Sequence, residues 1–206
     1  MTVIASDREQ IDPWRLYRAL VGLGLVCALL TALVFQLTAP VIADNRQRLL
    51  QQAIYRVLPG ASVIKPLQAT ELGMDPQSEQ AGVMHYAGFT DRGSLVGVAL
   101  TASGMGYQDT IELLYGYDPM QQAIIGMQVL QSRETPGLGD RIETYLPFQS
   151  NFDSLDVSLN AQGTGLGQPV TLVKEGSKTR DWEIDGITGA TVSSQAVAAI
   201  IGSSAD

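Results

Sequence analysis

Two hydroxyls stand near the C-terminal end of the chain in Asp185-Gly186-Ile187-Thr188-Gly189-Ala190-Thr191. Directly after them, Val192 to Ile201 is a run of apolar and small residues at helical spacing. The pattern predicts a helix with Thr191 in N-cap position, where a side-chain hydroxyl is favoured. The N–H groups of a first helical turn have no intrahelical partner, and with the helix dipole they suit a phosphate. Gly189 and Ala190 carry little or no side chain, so a bulky group has access to the backbone, and Thr188 and Thr191 offer it their oxygens. The same residues also make an ordinary capped helix behind a glycine turn, with no ligand at all. Taken alone, they leave both readings open.

The rest of the side-chain inventory restricts the chemistry. The chain holds one cysteine, Cys27, and one histidine, His85. A single Cys makes no intrachain disulfide, iron–sulfur ligand set or Cys-rich zinc site. A Cys–His nucleophile pair is disfavoured because Cys27 lies inside a long apolar run. His85 sits in a strand pattern without an acidic or histidine companion in alternation, and is expected to be a half-buried strand residue rather than a ligand or base. Electron chemistry in such a chain requires an organic cofactor. The net charge of −8 argues against a nucleic-acid partner.

Several elements must position these residues. The chain of 206 residues is long enough for one anchored domain with its own core. Residues 1–18 read as a short tail, in which Trp14 and Tyr17 suit a membrane interface. Residues 19–43 hold no charged side chain and exceed the roughly 20 apolar residues needed to span a bilayer. The run is too long for a secretory leader and lacks a good cleavage site, so it is read as a single membrane-spanning helix. Arginines flank it on both sides, so charge counting gives no orientation. The short N-terminus favours a cytoplasmic tail and an exported domain of residues 44–206. Asp44-Asn45 is expected to cap a second helical pattern that Pro59-Gly60 stops, a stalk continuing the membrane helix outward. Thr70 to Gln80 reads as a loop. Residues 83–87 and 95–100 flank Asp91-Arg92-Gly93-Ser94 as a hairpin, and residues 111–117 and 123–130 form a second pair about Asp118-Pro119. A short helix follows Asp140, Gly163 to Gly167 is a loop rather than a dinucleotide fingerprint, and Val170 to Val173 is a strand. Lys174 to Arg180 is a basic turn, and Trp182 belongs to the core.

Two further glycine-rich stretches join regular elements: Ser103-Gly104-Met105-Gly106-Tyr107, and Glu134-Thr135-Pro136-Gly137-Leu138-Gly139-Asp140. Each alone is consistent with turn chemistry. Together with Asp-x-x-Thr-Gly-Ala-Thr at 185–191, they resemble motifs of the FMN-binding domain family. That domain occurs in the G subunit of the Rnf ion-translocating electron-transport complex and in the C subunit of the sodium-translocating NADH:quinone reductase.

The resemblance implies an α+β protein, an N-terminal transmembrane helix followed by one antiparallel-sheet FMN-binding domain. It implies FMN joined to Thr191 by a phosphoester bond made by a separate flavin transferase, with Thr188 the weaker candidate for attachment. Gly104, Gly106, Tyr107, Glu134, Thr135, Gly137, Leu138, Gly139, Asp185, Gly189 and Ala190 would gather near the flavin, Glu134 more as a loop hydrogen-bonding residue than as a flavin contact. The function implied is electron relay between other membrane subunits of a complex coupling ferredoxin and NAD to ion movement, without a substrate pocket or acid–base chemistry of its own. The implied location is the inner membrane, with the C-terminal domain in the periplasm. The compact length favours the Rnf-type chain over the longer quinone-reductase one. The alternatives are that second chain or another anchored flavin domain and, from a different class, an anchored scaffold without cofactor.

Overall fold

The computed structural model describes residues 13–67 and 85–205. The tail before Pro13, the expected loop at 70–80 and the first two positions of the expected strand at 83–87 lie outside the described residues. The chain divides into two compact units, Met1–Arg48 and Leu49–Asp206.

The described residues of the first unit, from Pro13 on, are helical. Helix α1 runs Pro13–Val57, 45 residues with Pro40 inside it, and continues without a break past the expected cap at Asp44-Asn45. Asp44 instead pairs with Arg48 one turn on, at 2.8 Å. The apolar part is long enough to cross a membrane, and none of its most hydrophobic stretch is buried within the protein. Hydroxyls in this stretch are satisfied internally: Thr31 donates to the carbonyl of Cys27 and Thr38 to that of Val34, each at 2.8 Å. Such back-bonding removes the cost of a bare hydroxyl in hydrocarbon. Trp14 and Tyr17 stack with centroids 5.8 Å apart.

The second unit contains the last turns of α1, which stop at Val57 before Pro59 and Gly60, the latter at φ +90°. A six-stranded antiparallel sheet follows in sequence order: β1 (Val63–Leu67), β2 (His85–Phe89), β3 (Leu95–Met105), β4 (Thr110–Asp118), β5 (Ala123–Gln131) and β6 (Leu155–Asp156). Both expected hairpins form. The turn between β2 and β3 closes through the Thr90 amide, which donates to the Ser94 carbonyl at 2.9 Å. Between β5 and β6 lie two short helices, α2 (Arg141–Thr144) and α3 (Leu146–Gln149), where the sequence pattern predicts one. The six-stranded sheet is the antiparallel one expected; beyond β6, β7 (Thr171–Val173) and β8 (Glu183–Asp185) form a separate parallel pair. Helix α4 (Thr191–Ala205) ends the described chain.

Successive residues point to opposite sides of the sheet, and each side is covered by its own core. Leu113 and Tyr115 enter the main core with Val197, Ile200 and Ile201 of α4. Leu114 and Ala99 meet Ala53, Ile54, Val57 and Leu58 at the end of α1.

The α1 end approaches the sheet over two cross-strand partners, Gly116 and Gly126. A Cβ on Gly116 would lie 1.9 Å from the carbonyl oxygen of Val57, and one on Gly126 2.7 Å from the Val57 Cα. The bare backbone at this pair is what lets the helix end sit on the strands.

Candidate functional site

The three glycine-rich stretches meet, and a buried carboxylate joins them. Glu134 is 5% exposed. Its Oε1 accepts from the amides of Tyr107 at 2.9 Å and Gln108 at 3.1 Å, and its Oε2 accepts from the Ser193 hydroxyl in the first turn of α4. A Cβ on Gly106 would lie 2.5 Å from Glu134 Oε1, and one on Gly139 2.7 Å from Glu134 Oε2 and 2.8 Å from Ser193 Oγ. These two glycines make room for Glu134. The expected loop role of Glu134 therefore extends to holding two loops and a helix start together.

Gly104 is placed differently. It lies inside β3 opposite Ile111, not in a loop, and a Cβ there would meet Ile200 Cγ1 at 2.5 Å. Its missing side chain admits α4 against the sheet. The turn proper is Gly106 to Asp109, closed by the Gly106 amide on the Asp109 carbonyl at 2.9 Å. In the next loop the Thr135 carbonyl accepts the Leu138 amide at 3.1 Å, with Gly137 at φ +77° in the bend between them.

Thr191 is the first residue of α4, not its N-cap. Ala190 takes the cap position: its carbonyl accepts the Ser194 amide and hydroxyl, each at 2.9 Å. Ser194 Oγ in turn accepts the Ile187 amide at 3.2 Å. The exposed Thr191 side chain stands between two cavities. One, of about 380 Å³, is lined by Tyr107, Glu134, Thr135, Leu138, Gly139, Val192 and neighbouring positions. The second, of about 450 Å³, is lined by Leu172, Lys174, Glu175, Thr188, Gln195 and their neighbours. Gly189, at φ +88°, borders both and presents no Cβ to either. Gly104, Gly106, Gly137 and Asp185 line neither cavity; they shape the elements around them.

Thr188 borders only the second cavity, and its backbone is held on both sides. Its amide donates to Glu175 Oε2 at 2.9 Å, and its carbonyl accepts Arg141 Nη1 at 3.0 Å. Tyr145 donates to Glu175 Oε1 at 2.6 Å, beneath the Arg141 guanidinium. Hydrogen bonds from Thr188 and Tyr145 hold the Glu175 carboxyl down at about 2. Asp185 Oδ1 accepts the amides of Ser177 and Lys178, each at 2.9 Å, so this carboxylate organises the basic turn. Asn151 fixes Asp185 from the other side, accepting its amide at 3.0 Å and donating to its carbonyl at 3.2 Å. Trp182 is only half-buried, under Arg180, rather than a core residue. His85 is fully buried, deeper than its strand pattern predicts.

Sequence patterns do not single out Arg141, Tyr145, Asn151, Glu175, Ser193 or Ser194, because their roles depend on long-range contacts. The arrangement suits a phosphorylated, flat ligand. The amides of Thr191, Val192 and Ser193 open the helix, and the cavity beside them is of the size that accepts small molecules. Tyr107, Leu138 and Val192 supply its apolar walls.

A family model for the FMN-binding domain matches residues 106–205. The G subunit of the ion-translocating oxidoreductase complex of Methanosarcina acetivorans is 30% identical over 201 residues, 98% of this chain and 96% of the relative. The chain belongs to this family of G subunits. Its counterpart from Pseudomonas aeruginosa strain UCBPP-PA14 is 34% identical over 193 residues, 87% of this chain and 78% of the relative. The fold is shared with NqrC of Shewanella oneidensis, at TM-score 0.58 and 19% identity over 78% of this chain and 91% of that one.

Proposed function

We propose that this member of the family is a membrane-anchored electron carrier of an ion-translocating oxidoreductase complex of the ferredoxin:NAD type, with FMN esterified through its phosphate to Thr191. The observation that carries the reading is the position of Thr191, exposed at the start of α4 between two cavities and beside the side-chain-free Gly189. Bound FMN supplies one- and two-electron transfer. The chain's own residues attach, orient and wall the group. Thr191 would hold it, the first-turn amides would be available to its phosphate, and Tyr107, Leu138 and Val192 would supply apolar contacts to a flat ring. Lys174 adds a positive charge on the other side of Thr191. The α1 helix tethers the domain to the inner membrane. The domain lies in the periplasm, where a flavin transferase modifies it and neighbouring membrane subunits exchange electrons with it.

The test is intact-mass analysis of chain made together with a flavin transferase. The expected mass is the polypeptide plus one FMN less one water, with the adduct on Thr191. Thr191→Ala is expected to lose the covalent flavin and Thr188→Ala to keep it. An unmodified wild-type chain under these conditions would refute the reading.

A further inference from the structure

We infer that Glu134 is a positioning residue that also sets the reduction potential of the group on Thr191; this rests on the proposed function. Glu134 is buried, borders the same cavity as Thr191, and accepts hydrogen bonds from Tyr107, Gln108 and Ser193. It thereby fixes the Tyr107 turn relative to the start of α4. Among the described residues no Lys or Arg forms an ion pair with it. A carboxylate in a cavity wall, away from bulk water, opposes the gain of negative charge by a neighbouring group and lowers its potential.

Glu134→Gln separates charge from geometry. The amide oxygen still accepts from Tyr107 and Gln108, and the amide nitrogen can donate to Ser193 Oγ. With the flavin content at the wild-type level, the potential measured by spectroelectrochemistry is expected to rise. An unchanged potential on fully modified protein overturns the inference while leaving the attachment at Thr191 intact; absence of flavin from wild type overturns the attachment itself. In unmodified full-length protein, Glu134→Ala is expected to speed hydrogen exchange of the Tyr107 and Gln108 amides by about tenfold or more, the ordinary worth of hydrogen bonds to a charged group. Unchanged exchange there overturns the positioning role without reference to the cofactor.

Discussion

Gly139→Ala places the new methyl 2.7 Å from Glu134 Oε2, 2.8 Å from Glu134 Cβ and 2.8 Å from Ser193 Oγ. Glu134 has little freedom to withdraw, because two amides hold its other oxygen. Overpacking of this kind costs about 1–3 kcal/mol. Displacing Ser193 removes a hydrogen bond to a charged group worth about 1.5–3 kcal/mol. The stiffer unfolded chain offsets about 0.4–1 kcal/mol of this. The expected net loss is roughly 2–5 kcal/mol. Gly137→Ala is the control: its Cβ meets nothing within 4 Å, and only the φ of +77° opposes it, at about 1–2 kcal/mol. Urea unfolding of the full chain in detergent, followed by tryptophan emission, measures both. Flavin content should fall in the first variant and hold in the second. A Gly139→Ala protein as stable as Gly137→Ala would refute the account of Glu134 as a filled, immobile hub.

Gly116→Ala should destabilise the domain by about 3 kcal/mol, because its Cβ would fall 1.9 Å from a backbone oxygen that cannot rotate away; thermal unfolding reads this. Glu175 has its folded value lowered from 4.5 to about 2. Its contribution is therefore fully present above 4.5 and lost as pH falls through about 2. The Thr188 amide resonance is expected to titrate near that lower value, and Glu175→Gln to abolish the titration; a midpoint near 4.5 would contradict the clamp.

Much of the sheet is legible in the sequence because hairpin turns and alternation are local signals. The turn at Asp91 to Ser94 and the pair around Asp118-Pro119 need no distant partner to be recognised. β1 escapes such a reading because Lys65 and Pro66 interrupt its pattern, which an edge strand tolerates. The parallel pairing of β7 with β8 depends on residues twelve positions apart, Thr171 with Glu183 and Val173 with Asp185, meeting across the basic turn, which periodicity does not report. Gly104 reads as a turn because glycine signals turns, whereas Ile200, far along the chain, is what excludes a side chain there. The motif residues are recognisable one by one, but the burial of Glu134 and the bracing of Asp185 by Asn151 are properties of the assembled fold.

The polar groups of the motif mostly serve the protein itself. Glu134 ties loops to α4, Asp185 shapes the basic turn, and the Thr188 backbone is braced by Glu175 and Arg141. Among the described residues, Glu134, Glu175 and Ser193 beside the two cavities are already engaged within the protein. A noncovalent carrier would need binding groups here to resist dissociation. The proposed ester to Thr191 would remove that need and leave the surrounding residues to act on orientation and potential. That division of labour supports attachment at Thr191 over Thr188, whose peptide is already held on both sides.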